Sequence, residues 1–175
     1  MKLISSKELI RTPIFWVTMD HAVDPGGFEI HRAIVQHAGS AVMMAVDAKK
    51  RILLVRQYRL PARAYLWELP AGRMDPGETP LGAAKRELIE ETGCRARKWS
   101  KLGRMFASPG YVAEVMHLFL AEGLTVGEAQ PMEDERIESR WFTPKEIAAM
   151  IQAGKIIDAK TIVAFQHWKT KRGKR

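Results

Sequence analysis

Between Gly72 and Cys94 the chain reads GRMDPGETPLGAAKRELIEETGC, and no other stretch restricts the fold as much. Thr79 followed by Pro80 is a helix start, with threonine as N-cap and proline at the first helical position. Gly93 stands where a left-handed residue closes a helix, so the spacing predicts a helix from about Pro80 to Thr92. Residues three and four apart are neighbours on a helix, so Glu87, Glu90 and Glu91 project from one side. Crowded carboxylates repel by roughly 1 kcal/mol per pair at about 4 Å even in bulk water. A chain that accepts this repulsion has a cation to neutralise it, and hard oxygen donors suit Mg²⁺ or Mn²⁺. Leu81, Ala84 and Leu88 are the expected core stripe beside the carboxylates. Gly72 and Gly77 are expected to give the preceding loop the tight backbone a metal site needs.

The rest of the chain reads as strands around this helix. Phe15, Val17 and Met19 alternate with Trp16 and Thr18, Asp24-Pro25-Gly26-Gly27 is a turn, and Phe28, Ile30, Ala33 and Val35 follow, which predicts a β-hairpin over residues 13–38. Trp16 and Phe28 read as packing residues, with base stacking the alternative. Ser40–Asp47 and Arg51–Arg59 are continuous apolar runs, the mark of strands covered on both faces, and Pro61 ends the second. Further strands are expected at Lys98–Phe106, Val115–Leu120 and Ile137–Phe142. Thr143-Pro144-Lys145-Glu146 is a capping box opening a helix to about Ala153, and Asp158 caps a last helix through Trp168. Residues 126–136 form an acidic loop in a chain of net charge +8.

Length and composition fit one domain, 1–175, with a β-segment at 1–38, a core at 39–168 and a basic tail at 169–175 expected to fray. No apolar run approaches the ~18 residues of a membrane helix, so no membrane association is expected. Met1–Arg11 is charged and lacks the apolar region of a secretory signal, and the lone Cys94 forms no internal disulfide, so a cytoplasmic location is expected. The positive charge favours anionic substrates; no RNA-binding motif accompanies it, so nucleic acid is not the expected partner.

The Gly72–Cys94 stretch resembles the Nudix box, G-x5-E-x7-R-E-U-x-E-E-x-G-U with U bulky and apolar: Gly72, Glu78, Arg86, Glu87, Leu88, Glu90, Glu91 and Gly93 fall on the pattern, with the smaller Cys94 in the last place. An acidic helix face with incidental glycines would explain the carboxylates but not the matching loop residues. The resemblance implies an α/β/α sandwich with a mixed β-sheet, preceded by an N-terminal β-hairpin or arm. It implies hydrolysis of a nucleoside diphosphate linked to another moiety, with Mg²⁺ or Mn²⁺ held by Glu87, Glu90, Glu91 and the carbonyl of Ala71. Glu78 and Arg86 are implied to form a buried ion pair bracing the loop. The family also needs a carboxylate outside the helix to position or deprotonate water. Glu135 is the first candidate, and Glu133 and Glu114 are the alternatives, each competing with the reading of a solvated acidic loop.

Within the family the chain looks like the ADP-ribose pyrophosphatase branch. Pro109 lies sixteen residues after Gly93, the spacing that marks that branch, and Trp67–Gly72 and Val55–Arg59 are similar to its approach to the box. Arg56 and Arg59 are candidate phosphate contacts, since a guanidinium fork matches paired oxygens, with surface ion pairs as the bland reading. Glu68, Arg73 and Pro109 complete the candidate substrate-binding set. The implied reaction converts ADP-ribose or a related ADP-sugar to AMP and a sugar phosphate. The alternatives are another nucleotide sugar such as GDP-mannose, a non-catalytic nucleotide-sensing module, or capped RNA. A homodimer through residues 13–38 is the family's implied assembly.

Overall fold

Two apolar layers meet on the strand Ser40–Ala45, and the architecture follows from that. The computed structural model describes residues 1–129 and 136–173. Its elements run β1 (Lys2–Arg11), β2 (Phe15–Val23), β3 (Glu29–His37), β4 (Ser40–Ala45), β5 (Ile52–Arg59), β6 (Ala64–Glu68), β7 (Ala71–Arg73), α1 (Pro80–Thr92), β8 (Cys94–Phe106), β9 (Val115–Val126), β10 (Glu138–Phe142), α2 (Pro144–Gln152) and α3 (Ala159–Arg172). Among the described residues no helix is long and apolar enough to cross a membrane.

Successive side chains on a strand point to opposite faces, so β4 serves two cores at once. Val42 and Met44 pack with Ile52, Leu54, Leu118, Ile147, Phe165 and Trp168, a layer completed by α2 and α3. Ala41, Met43 and Ala45 pack with Leu53, Phe119, Ala83, Ala84 and Leu88, the layer under α1. The continuous apolar run of β4 is thus a strand covered on both sides, as its composition predicts. Leu81 is the exception to the expected helix stripe: it is 36% exposed at the first turn, and Ala83 takes its place against the sheet.

β4 pairs in parallel with β9 and antiparallel with β7, and β9 pairs antiparallel with β8, so the order β7-β4-β9-β8 is mixed. A second sheet, β10-β5-β6, is antiparallel and joins the first through a bridge between Val46 and Ile52. The N-terminal hairpin is β2–β3, and it gains a third strand, β1, whose charged and apolar residues do not alternate cleanly. All of β1 is exposed. The arm meets the body where Val35 exchanges backbone hydrogen bonds with Tyr111 and Ala113.

The last helix extends beyond its expected end at Trp168. α3 continues through Arg172; Arg172 lies 4.6 Å over the Trp168 ring and Lys171 donates to the Lys101 carbonyl at 2.8 Å. Cations in a last turn also complement the helix dipole. Lys174 and Arg175 lie outside the described residues.

Candidate active site

The site begins where β7 delivers Ala71, Gly72 and Arg73 alongside β4, in register with Val42, Ala41 and Ser40. The chain then loops over Asp75–Thr79 and enters α1. Gly77, with φ +79°, makes the turn, which matches its expected role. Gly72 serves differently: its φ is not positive, and a Cβ built there would lie 1.9 Å from the Glu87 carboxyl carbon. The glycine is required because α1 lays a carboxylate directly on β7. Thr79 caps α1 by accepting from the Gly82 N–H at 3.1 Å, and Gly93 closes it with φ +69°.

Arg86 organises the carboxylates. Its Nε and Nη2 donate to the two oxygens of Glu78 at 3.2 and 2.9 Å. Its Nη1 donates to Glu87 at 2.7 Å and Glu90 at 3.0 Å, and Nη2 reaches the Arg73 carbonyl at 3.0 Å. Glu78 also accepts from the Asp75 N–H. The Glu78–Arg86 pair is therefore present, half-buried, and it ties the loop to both β7 and α1. The guanidinium hydrogen bond holds the Glu78 carboxyl below its ordinary range, and Glu78 chiefly raises Arg86 in turn.

Glu91 is 5% exposed, more enclosed than a surface metal ligand, and accepts from the Ala71 N–H at 3.3 Å. Glu87 and Glu91 thus meet β7 at consecutive residues, Gly72 and Ala71, with Glu90 on the outer side of the same face. Apart from the Arg86 guanidinium, the side-chain groups of Glu87, Glu90 and Glu91 offer carboxylate oxygens, a set that fits a hard divalent ion and not a soft one.

A second charged group is built around Glu68. Glu68 is 1% exposed and receives the Arg59 fork at 2.8 Å on each oxygen. Lys160 donates to Glu68 at 2.5 Å and to Asp158 at 2.9 Å. Burial pushes the Glu68 carboxyl up, but Arg59 and Lys160 outweigh it and hold it below the usual range. The field of Glu91 also reaches Arg59, so the two charged groups are coupled. Lys160 had no signal in the sequence: it stands 92 residues from Glu68, and only its position two residues after the Asp158 cap is legible.

Arg56 behaves differently from Arg59. It lies 4.9 Å over Tyr65 and 6.0 Å from the Trp67 ring centre, with Glu138 at 3.5 Å, and faces an open cavity of about 260 Å³ shared with Arg136 and Ile137. Arg73 is turned to the arm, where its guanidinium donates to the Pro13 carbonyl. Pro109 is exposed in the turn Ser108–Tyr111 that docks on β3. Glu114, at the end of that turn, accepts from the Ser40 hydroxyl and stands 3.8 Å from the His37 imidazole. Glu133 and Glu135 lie outside the described residues.

The NUDIX domain model matches residues 35–165. The chain belongs to the NUDIX family. The Nudix box described above falls inside that match. An ADP-ribose pyrophosphatase of Bacillus subtilis (strain 168) is 34% identical over 97% of this chain and 93% of its own length. A methanol dehydrogenase activator of Bacillus methanolicus is 33% identical over 95% of this chain and 91% of its own. A solved structure described as an ADP compounds hydrolase superimposes with a TM-score of 0.83, covering 99% of this chain and 96% of that one at 20% identity, a likeness of fold. The Nudix α/β/α sandwich expected from the box is therefore the fold of this chain.

Proposed function

We propose that this Nudix protein is a Mg²⁺-dependent pyrophosphatase that hydrolyses ADP-ribose or a related ADP-sugar to AMP and a sugar phosphate. The observation that carries this reading is the convergence of Glu87 and Glu91 on Gly72 and Ala71, with Arg86 and Glu78 bracing the loop between them. Glu87, Glu90, Glu91 and the Ala71 carbonyl would hold the cation. The cation, when bound, supplies neutralisation of the diphosphate charge and a lowered pKa for the attacking water.

The chain's own residues do the rest. Water attacks one phosphorus, the bridging P–O bond breaks, and the proton passes to a carboxylate. Glu135 is that base in this reading, with Glu133 and Glu114 as alternatives; Glu114 is held in one orientation by Ser40. Arg56 is the better placed of the two arginines for phosphate or base contact, because its guanidinium faces the open cavity while the Arg59 fork is occupied by Glu68. Arg73 and Pro109 stay in this reading as substrate-side residues, although the Arg73 guanidinium is bonded to the Pro13 carbonyl and Pro109 sits in the exposed turn beside β3. Similarity to the Bacillus subtilis enzyme over nearly the full chain supports the ADP-ribose assignment.

The assembly in this reading is a homodimer joined through the arm. β1 is an exposed strand carrying Leu3, Leu9 and Ile10, and Ile14 follows it, each more than half exposed. Such an edge is a template for pairing with another chain. The reaction is tested with purified protein, Mg²⁺ and a panel of ADP-ribose, GDP-mannose and other nucleoside diphosphate sugars. AMP release fastest from ADP-ribose is the expected result, and turnover of another sugar nucleotide without AMP from ADP-ribose would overturn it.

A further inference from the structure

His21 on β2 and His31 on β3 are directly opposed across the arm's ladder. Side chains on a strand alternate between faces, so Glu29, two residues before His31, shares their face. The imidazoles stack with centroids 4.2 Å apart and planes 10° from parallel. Glu29 Oε2 is 2.9 Å from His21 Nε2. One donor atom from each of the three residues lies within 4.8 Å of the others. The group sits on the hairpin of the arm, built from β2 and β3, whereas the box carboxylates are built from β7 and α1.

A cross-strand imidazole pair with a carboxylate is a poor choice for stabilising a strand surface, where β-branched and aromatic pairs serve better. It is a good choice for a metal. Two imidazole nitrogens and one carboxylate oxygen form the mixed nitrogen–oxygen set of a borderline ion, unlike the all-oxygen set of the box. Tetrahedral Zn²⁺ with bonds of about 2.0–2.2 Å needs its donors roughly 3.3–3.5 Å apart. The observed spread closes to that by side-chain rotation that turns the stacked rings towards a common point, and Glu29 and His31 are exposed, which leaves room for it. We infer that His21, Glu29 and His31 form a Zn²⁺-class metal site on the arm, separate from the box, that fastens β2 to β3.

The full-length protein is titrated calorimetrically with Zn²⁺ alone, in excess Mg²⁺ to occupy the hard carboxylate site. Wild type is expected to bind one Zn²⁺ per chain that the His21→Ala/His31→Ala double variant does not bind, with at least a tenfold loss of affinity in Glu29→Gln. Co²⁺ in place of Zn²⁺ is expected to give visible d–d absorption in wild type that the double variant lacks. Zn²⁺ is expected to raise the melting temperature of wild type only, since it binds the folded ladder. His31→Gln, an uncharged and similarly exposed replacement, guards against loss of fold and is expected to weaken Zn²⁺ with metal-free melting unchanged. Equal Zn²⁺ stoichiometry and affinity in wild type and the double variant would overturn the site. None of these readouts depends on nucleotide turnover.

Discussion

At the scale of single residues, two carboxylates in the same site do opposite work. Glu91 is buried against a backbone N–H, and a glutamine there keeps an oxygen for the Ala71 bond while removing the charge. Glu91→Gln is therefore expected to lower kcat about 10²–10³-fold with melting close to wild type, measured by AMP release and calorimetry. Glu68 is a buried anion held by two cations, and breaking such a group leaves uncompensated charge worth about 3–5 kcal/mol. In Glu68→Gln this amounts to a drop of roughly 6–20 °C in Tm for a chain of this size. Its carboxyl is depressed in the folded state, so the stability it contributes is complete above the unfolded value of about 4.3 and is lost as pH falls through the lower folded value. The gap between wild type and Glu68→Gln is expected to narrow as pH falls below that unfolded value, read by chemical denaturation at each pH.

At the scale of elements, the box is a strand, a loop and a helix whose geometry depends on one cap. Thr79 fixes the first turn of α1 immediately after Glu78, so the cap and the Glu78–Arg86 pair share a boundary. Thr79→Ala is expected to cost about 1 kcal/mol, roughly 2–4 °C in Tm. It is also expected to raise the Mg²⁺ concentration needed for half-maximal activity, since a frayed first turn loosens the loop; an unchanged Mg²⁺ requirement would count against that coupling. The same element shows what the sequence could convey. Cap, length and closing glycine of α1 are local and were legible, as were the doubly buried β4 and the capping box at Thr143. Gly72 was legible as a required glycine but not for its reason, because the Glu87 carboxylate that excludes a Cβ arrives from another element. Leu81, in the first turn, is partly exposed, while Ala83, Ala84 and Leu88 are the α1 residues packed against the sheet.

At the scale of the whole molecule, long-range pairings separate what was legible from what was not. β1 lies inside the β-segment expected at 1–38 but is not legible as a separate strand, because its residues lack a clean period and its pairing with β2 rests on register and not on pattern. The Glu68–Lys160 contact was missed for the same reason: nothing local joins residues so far apart. The arm's exposed apolar edge predicts self-association. Leu9→Glu with Ile10→Glu is expected to convert a dimer to a monomer in sedimentation or light scattering, and a wild-type monomer at micromolar concentration would sink the assembly proposed for it.

The Lys160 contact also bears on how the protein is made. Glu68 and the strand before the box emerge from the ribosome ahead of α3, which supplies Lys160 and the Thr161 hydroxyl that accepts from the Leu69 N–H at 2.7 Å. Chains grow at about 5–20 residues per second. For several seconds, then, a nascent chain carries the whole of α1 with Arg59 but not yet Lys160 to pair with Glu68, and with the Leu69 N–H still without the Thr161 hydroxyl. The final helix thus acts as a latch, closing on Glu68 through Lys160 and on Leu69 through Thr161.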